Sequence, residues 1–77
     1  MIIHKELKRF LEIIYIKNID FKPILECELR KEFKNNEYYK LKNFCFDNNL
    51  INVNYHEMNL TVDGIELFKS LNKIKIF

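Results

Sequence analysis

The stretch from residue 45 to residue 68 reads CFDNNLINVNYHEMNLTVDGIELF, and the spacing of its apolar residues changes twice. In its middle part, apolar and polar residues alternate in two short runs, which is the period of a β-strand. The apolar members are Ile51, Val53 and Tyr55 in the first run and Met58, Leu60 and Val62 in the second. Because the connection between the runs is short, the pattern predicts a two-stranded antiparallel hairpin.

Helical spacing flanks this hairpin on both sides. Before it, we expect a third helix that is capped by Asn35 or Asn36 and ends at Asn48–Asn49, since Asn tolerates the left-handed conformation of a helix C-terminus. Its inward stripe is Tyr38, Leu41 and Cys45, widened by Phe44. After the hairpin, Thr61 can cap a last helix that ends near Lys73 and carries Ile65, Phe68 and Leu71.

Two further helices are expected upstream. Helix 1 runs from Ile2 to about Asn18, because its apolar residues have the spacing of one helical face: Ile3, Leu7, Phe10, Leu11 and Ile14. Helix 2 is expected to begin near Lys22, with Asp20 as its cap and Pro23 in its first turn, and to stop between Lys34 and Asn36. Its stripe is Leu25, Leu29 and Phe33.

Length and composition indicate one small soluble domain over residues 1–77. The chain is 48% hydrophobic, with one Gly and one Pro, which is too apolar for a disordered protein. Lys5, Glu6, Lys8 and Arg9 interrupt the N-terminal apolar residues, so we expect neither a signal peptide nor a membrane span. The two cysteines are far apart in sequence, which favours a reducing, cytoplasmic location over a disulfide framework.

The segments CFDNNLI (45–51) and LTVDGIEL (60–67) carry a family resemblance. The chain resembles small winged helix-turn-helix DNA-binding proteins of archaea and mobile genetic elements. In that family the first segment corresponds to the end of the recognition helix, followed by a Gly-Leu-Ile sequence at the start of the wing. The second segment corresponds to a Leu-Thr-x-x-Gly sequence that connects the wing to the final helix. The resemblance implies an α+β fold: a three-helix body, a two-stranded hairpin and a short C-terminal helix. The chain departs from the pattern at Asn49, which replaces Gly, at Lys42, which replaces an apolar residue, and at a hairpin tip without Lys or Arg.

Helix 3 carries the residues that we expect to read DNA. At 100° per residue, the side opposite its inward stripe presents Asn36, Tyr39, Lys40 and Asn43. Amide side chains can pair with adenine, Lys with guanine or phosphate, and Tyr with phosphate or a thymine methyl. The alternative interpretation is a solvated helix face, which most surface helices have. The winged-helix frame favours DNA contact, because that fold presents this face to the major groove.

Cations near the end of helix 2 are expected to contact phosphates. Between residues 30 and 42 the chain has five basic and two acidic residues, a local charge of +3 within a net charge of +2. The expected phosphate contacts are Arg30, Lys31 and Lys34. Such contacts would add affinity for DNA without sequence specificity. A merely solubilising surface is the alternative for these three residues.

Helix 1 has a second apolar stripe, which we expect to pack against another apolar surface. The stripe and the C-terminal tail give the expected interface of a two-fold homodimer: Ile2, Arg9, Ile13, Ile16, Ile74 and Phe77. Such a dimer would set two recognition helices about one DNA turn apart. The alternative is that the tail folds back over the same stripe within one chain.

Motifs for other chemistry are missing from the sequence. The soft metal ligands are His4, His56, Cys27 and Cys45, and no two have the spacing of a zinc site. We therefore expect no metal, no cofactor, no small-molecule substrate and no enzymatic activity.

The expected function is that of a transcription regulator that binds double-stranded DNA. A winged-helix protein-interaction module that does not bind DNA, such as an inhibitor or assembly subunit of a mobile element, is the alternative. A single-strand binder would need more Lys and Arg.

Overall fold

A computed structural model describes residues 4–73, which form four helices and one three-stranded antiparallel sheet. In chain order the elements are α1 His4–Ile19, β1 Ile24–Leu25, α2 Glu26–Arg30, α3 Asn35–Asp47, β2 Ile51–Asn54, β3 Glu57–Leu60 and α4 Val62–Lys73. The strand order is β1-β3-β2. The predicted α+β class is confirmed, and the arrangement is compatible with a winged helix.

The core lies between α1, α3, α4 and one face of the sheet. Helix α1 buries four residues of the stripe predicted from its spacing, Leu7, Phe10, Leu11 and Ile14. The fifth residue of that stripe, Ile3, lies outside the described residues. The facing elements contribute Ile24, Leu29, Tyr38, Leu41, Cys45, Leu50, Ile51, Met58, Leu60 and Phe68. Aromatic rings link the layers, with Phe10 centred 5.7 Å from Phe33 and Tyr15 centred 4.8 Å from Phe68.

The predicted antiparallel hairpin is formed by β2 and β3, but a third strand joins it, so the expectation of a sheet with only two strands is wrong. Strand β1 adds to β3 with Ile24 opposite Met58 and Leu25 opposite Glu57. The amide of Glu26 extends this pairing by donating to the carbonyl of His56 at 2.7 Å. The pairing explains why helix 2 does not begin near Lys22: the residues after Pro23 are extended, and α2 begins only at Glu26.

Helix α1 ends in a left-handed residue that the sequence pattern did not predict. The amide of Phe21 donates to the carbonyl of Asn18 at 2.9 Å, and the amide of Lys22 donates to that of Lys17 at 3.2 Å. These two bonds form a Schellman motif, with Phe21 at φ 60° in the position that usually holds Gly. Asp20 therefore belongs to the end of α1, and its predicted role as the cap of helix 2 is wrong.

The end of α3 repeats the same motif with the residue that was predicted. Asn49 has a φ of 58°, and its amide donates to the carbonyl of Phe46 while the amide of Leu50 donates to that of Cys45. The left-handed Asn expected here is thus confirmed. The start of α3 differs from expectation, because its N-cap is Lys34, without a side-chain hydrogen bond.

The hairpin is shorter than the alternation suggested. Strands β2 and β3 pair from Ile51 opposite Leu60 to Asn54 opposite Glu57, which leaves Tyr55 and His56 as a two-residue turn. Tyr55 has a φ of 59° and is exposed, so its predicted place on the inward face is wrong. Val62 is also exposed, because the helix α4 has begun there.

Thr61 caps α4 as predicted and also ties this helix to the hairpin. Its hydroxyl oxygen accepts a bond from the Gly64 amide at 3.0 Å and donates to the carbonyl of Asn49 at 2.6 Å. The amide of Thr61 donates to the carbonyl of Leu50 at 3.0 Å. The start of α4 is thereby fixed against the end of α3 and the start of β2.

Asn18 makes the corresponding connection between α1 and the sheet. Its amide nitrogen donates to the Lys22 carbonyl and to the Asn59 side chain, both at 3.0 Å, and its oxygen accepts the Leu60 amide at 2.9 Å. One side chain thus joins segments about forty residues apart, which positions the hairpin relative to the helical body.

Three of the predicted interface residues, Ile2, Ile74 and Phe77, lie outside the described residues. Within residues 4–73, no helix has both the length and the apolar character needed to cross a membrane.

Candidate nucleic-acid interface

Helix α3 has one face in the core and the opposite face in solvent. Tyr38, Leu41 and Cys45 are buried, as their spacing predicted. Phe44 is exposed rather than part of that stripe. The residues predicted to read DNA, Asn36, Tyr39, Lys40 and Asn43, are all exposed. The side of α3 that was predicted to read DNA is therefore not packed against any of residues 4–73.

A carboxylate at the start of α2 fixes the rotation of α3 about its axis. One oxygen of Glu26 accepts the Tyr38 hydroxyl at 2.8 Å and the Lys42 ammonium at 2.6 Å. Tyr38 and Lys42 are one turn apart on α3, so the carboxylate holds the helix at two successive turns. Lys42, which replaces the usual apolar residue, is accommodated by this ion pair.

The electrostatics of this cluster favour the charged carboxylate. The hydrogen bond from Lys42, followed by that from Tyr38, lowers the pKa of Glu26 below its ordinary value of 4.5. Burial, together with the bond to Glu26, raises the pKa of Tyr38, which remains a neutral donor. Sequence reasoning missed this cluster because Glu26 and Lys42 are sixteen positions apart and no local spacing connects them.

The predicted phosphate contacts surround the N-terminal end of α3. Arg30 is the last residue of α2, Lys31 lies in the following turn and Lys34 is the N-cap of α3; all three are exposed. Arg30 lies beside Tyr39, and the interaction with the Tyr39 hydroxyl raises the pKa of the guanidinium. Two predicted site residues on different helices are thus brought together.

The charges around this end of α3 are available to a ligand. The ion pairs among residues 4–73 join Arg9 to Glu32, Lys17 to Glu28, and Lys42 and His56 to Glu26. None of them uses Arg30, Lys31, Lys34 or Lys40. Unpaired cations beside the positive end of a helix dipole make this the part of the described surface best suited to an anionic backbone.

The hairpin tip offers a different surface. Tyr55, His56 and Glu57 are all exposed there. No Lys or Arg lies between Asn43 and Lys69 in the sequence, so the hairpin itself carries no permanent positive charge.

Two of the predicted interface residues on α1, Ile13 and Ile16, line a groove between α1 and α2. The floor of this groove consists of Ile13, Ile16 and Ile24, and its volume is about 390 Å³. Arg9 is occupied within the chain: its guanidinium lies 3.2 Å from Glu32 and 5.0 Å from the centre of the Phe33 ring. Ile13 and Ile16 therefore lie on one apolar surface, whereas Arg9 is held in an ion pair with Glu32.

The cysteines and histidines do not converge. Among residues 4–73, no three His, Cys, Asp or Glu side chains are placed to hold a metal ion. Cys45 is buried, and burial raises the pKa of its thiol to about 12, which keeps the thiol protonated and unreactive.

Comparison with protein-family models, with characterised proteins and with solved structures finds no match to this chain.

Proposed function

We propose that the chain is a sequence-specific double-stranded DNA-binding protein, and that it acts as a transcription regulator by placing α3 in the major groove. One observation carries the proposal: the solvent face of α3 presents Asn36, Tyr39, Lys40 and Asn43 while the opposite face is held in the core. A helix presented in this way can enter the groove without rearranging the body.

The surrounding charges support the same orientation. Arg30, Lys31 and Lys34 lie at the end of α2 and in the turn before α3, where DNA phosphates would flank a helix seated in the groove. With Lys40 they make about four phosphate contacts. Four contacts imply that affinity falls about a hundredfold between about 50 and 200 mM salt.

Fluorescence anisotropy with mixed genomic duplexes at these two salt concentrations tests the proposal. We expect binding that weakens steeply with salt and is lost when Lys40→Ala is combined with Asn43→Ala. Selection from a random duplex pool should then return a common motif, because base contacts by the amide side chains of Asn36 and Asn43 discriminate sequence.

A matched control exists on α4. Lys69 and Asn72 are exposed and have the same residue types and spacing as Lys40 and Asn43. The Lys69→Ala, Asn72→Ala double variant removes the same charge and amide elsewhere, and should bind like the wild type. Equal losses in the two double variants would show that only net charge matters, and the absence of binding at low salt would overturn the proposal.

A protein-interaction module is the second candidate, and the exposed apolar residues near the end of α1 favour it. Ile16, Ile19 and Phe21 all have more than half of their surface in solvent. This candidate predicts no DNA binding at either salt concentration.

A further inference from the structure

Phe44 is an apolar residue of α3 that does not belong to the core cluster. Its side is exposed to solvent over 36% of its surface, next to the strip formed by Asn36, Lys40 and Asn43. At 100° per residue, Phe44 lies about 70° from the centre of this strip, and Tyr39 lies at about the same angle on the other side. The polar strip of α3 is therefore bordered by one aromatic ring on each side.

The two bordering rings have different chemistry. Tyr39 carries a hydroxyl and lies beside Arg30, so it can face a phosphate together with that guanidinium. Phe44 has no polar atom and gains nothing from a phosphate. The apolar group that base edges present in the major groove is the C5-methyl of thymine. A thymine methyl is thus the part of the groove that suits the ring of Phe44.

The amide side chains of the strip suit the partner base of thymine. Asn36 and Asn43 are exposed, and the side-chain hydrogen bonds among residues 4–73 involve neither of them. An amide donates to N7 of adenine and accepts from its N6 amino group, whereas guanine presents two acceptors at these places. Together with Phe44, the two amides span about 12 Å of helix, which is about the width of the major groove.

Helix α3 has little with which to read G·C pairs. Bidentate contact to guanine is made by Arg or Lys, and α3 contains no Arg. Of its two lysines, Lys42 is bonded to Glu26 at 2.6 Å, and Lys40 is one of the expected phosphate contacts. Asp47 could accept from cytosine, but it lies about 16 Å from Asn36 along the helix axis, beyond the groove width of about 12 Å. The side chains that remain are those that suit A·T pairs.

We propose that α3 recognises A·T base pairs, with the ring of Phe44 against a thymine methyl and the amides of Asn36 and Asn43 on adenines. The inference rests on the proposed DNA-binding function and names the base pairs that this helix reads. The cations around the start of α3 contact phosphates, which every duplex has, so they add affinity without a preference between base pairs.

Fluorescence anisotropy with three duplexes of equal length tests the proposal. The first contains A·T pairs in mixed order, the second is the same duplex with uracil in place of thymine, and the third contains G·C pairs. Exchanging thymine for uracil removes the C5-methyl and keeps every hydrogen-bonding group. The wild type should bind the A·T duplex at least about tenfold more tightly than the G·C duplex. It should lose about fourfold in affinity on the uracil duplex for each methyl that it contacts.

Variants of Phe44 test the methyl contact itself. Phe44→Ala should bind the thymine and uracil duplexes equally, because the methyl then has no apolar partner, while Phe44→Leu should retain part of the difference. The matched control is Phe46→Ala, which removes an exposed ring from the other side of the same helix and should keep the wild-type ratio. A ratio of two affinities does not change with the fraction of folded protein, so partial unfolding of a variant does not imitate the effect.

The outcomes separate this inference from the proposed function. Equal affinity of the wild type for the three duplexes, with a steep salt dependence, would overturn the inference and leave DNA binding in place. A preference for A·T pairs that is the same with thymine and uracil would also overturn it, because DNA shape and not the methyl would then be read. An equal loss of discrimination in Phe46→Ala and Phe44→Ala would remove the assignment to Phe44. No binding to any duplex at low salt would overturn the proposed function, and the inference with it.

Discussion

Glu26 is shared by three parts of the chain: its backbone continues the pairing of β1 with β3, it begins α2, and its side chain holds α3. A charged carboxylate that accepts two bonds in a half-enclosed position contributes more than an exposed ion pair does. Its lowered pKa means that the folded state binds this proton less readily than the unfolded chain. The contribution is therefore complete above the ordinary pKa of 4.5 and is lost as the pH falls through the lower value of the folded protein.

Glu26→Gln should lower the free energy of unfolding by about 1–2 kcal/mol at neutral pH, because Lys42 loses its counter-charge. The difference from the wild type should shrink as the pH falls below 4.5 and through the lowered pKa of the folded carboxylate, because the wild-type side chain then also becomes neutral. Urea unfolding over a series of pH values from neutral downward measures this difference. Glu28→Gln, which removes an exposed partner of Lys17, is the control and should change little. A difference that does not depend on pH would contradict this role of Glu26.

Gly64 allows the helix α4 to pack closely against the backbone at the start of the hairpin. It lies in the first turn of α4, and a Cβ at this position would overlap the carbonyl oxygen of Leu50. That oxygen belongs to the backbone and already accepts a hydrogen bond from the Thr61 amide, so moving it would break that bond.

Gly64→Ala should destabilise the fold by about 1–3 kcal/mol in urea unfolding. Ser70→Ala, on the exposed side of α4, should stay within about 0.5 kcal/mol of the wild type. Equal stability of the two variants would contradict the close packing.

The elements that the sequence predicted are those with a local signal. The stripe of α1, the left-handed Asn49 and the Thr61 cap each depend on residues within a few positions of one another. Strand β1 was missed because two residues have no measurable period, and its pairing partner is more than thirty positions away. The exposed face of α3 was predictable from the same 3.6-residue period. Its anchoring by Glu26 was not, because that contact depends on the tertiary fold.

The charges of the whole molecule are distributed unevenly about α3. The cations around its N-terminal end make no ion pair with residues 4–73, whereas the hairpin tip has Glu57 and no Lys or Arg. In the proposed binding mode the hairpin lies near the phosphates beside the groove that α3 enters, so a carboxylate there opposes binding.

Glu57→Lys should tighten DNA binding severalfold at low salt and steepen the salt dependence by about one contact, because a cation replaces an anion near the backbone. Anisotropy titrations at two salt concentrations measure both effects. Glu66→Lys makes the same change of charge at an exposed position of α4 and serves as the control. Equal gains for the two variants would place the hairpin outside the DNA footprint.

The amide side chain of Asn18 has a consequence for how the molecule loses its structure. Because it bonds both to the end of α1 and to β3, fraying of the first helix and opening of the hairpin require the same bonds to break. The two regions then exchange their amide hydrogens as one cooperative unit rather than as separate subdomains.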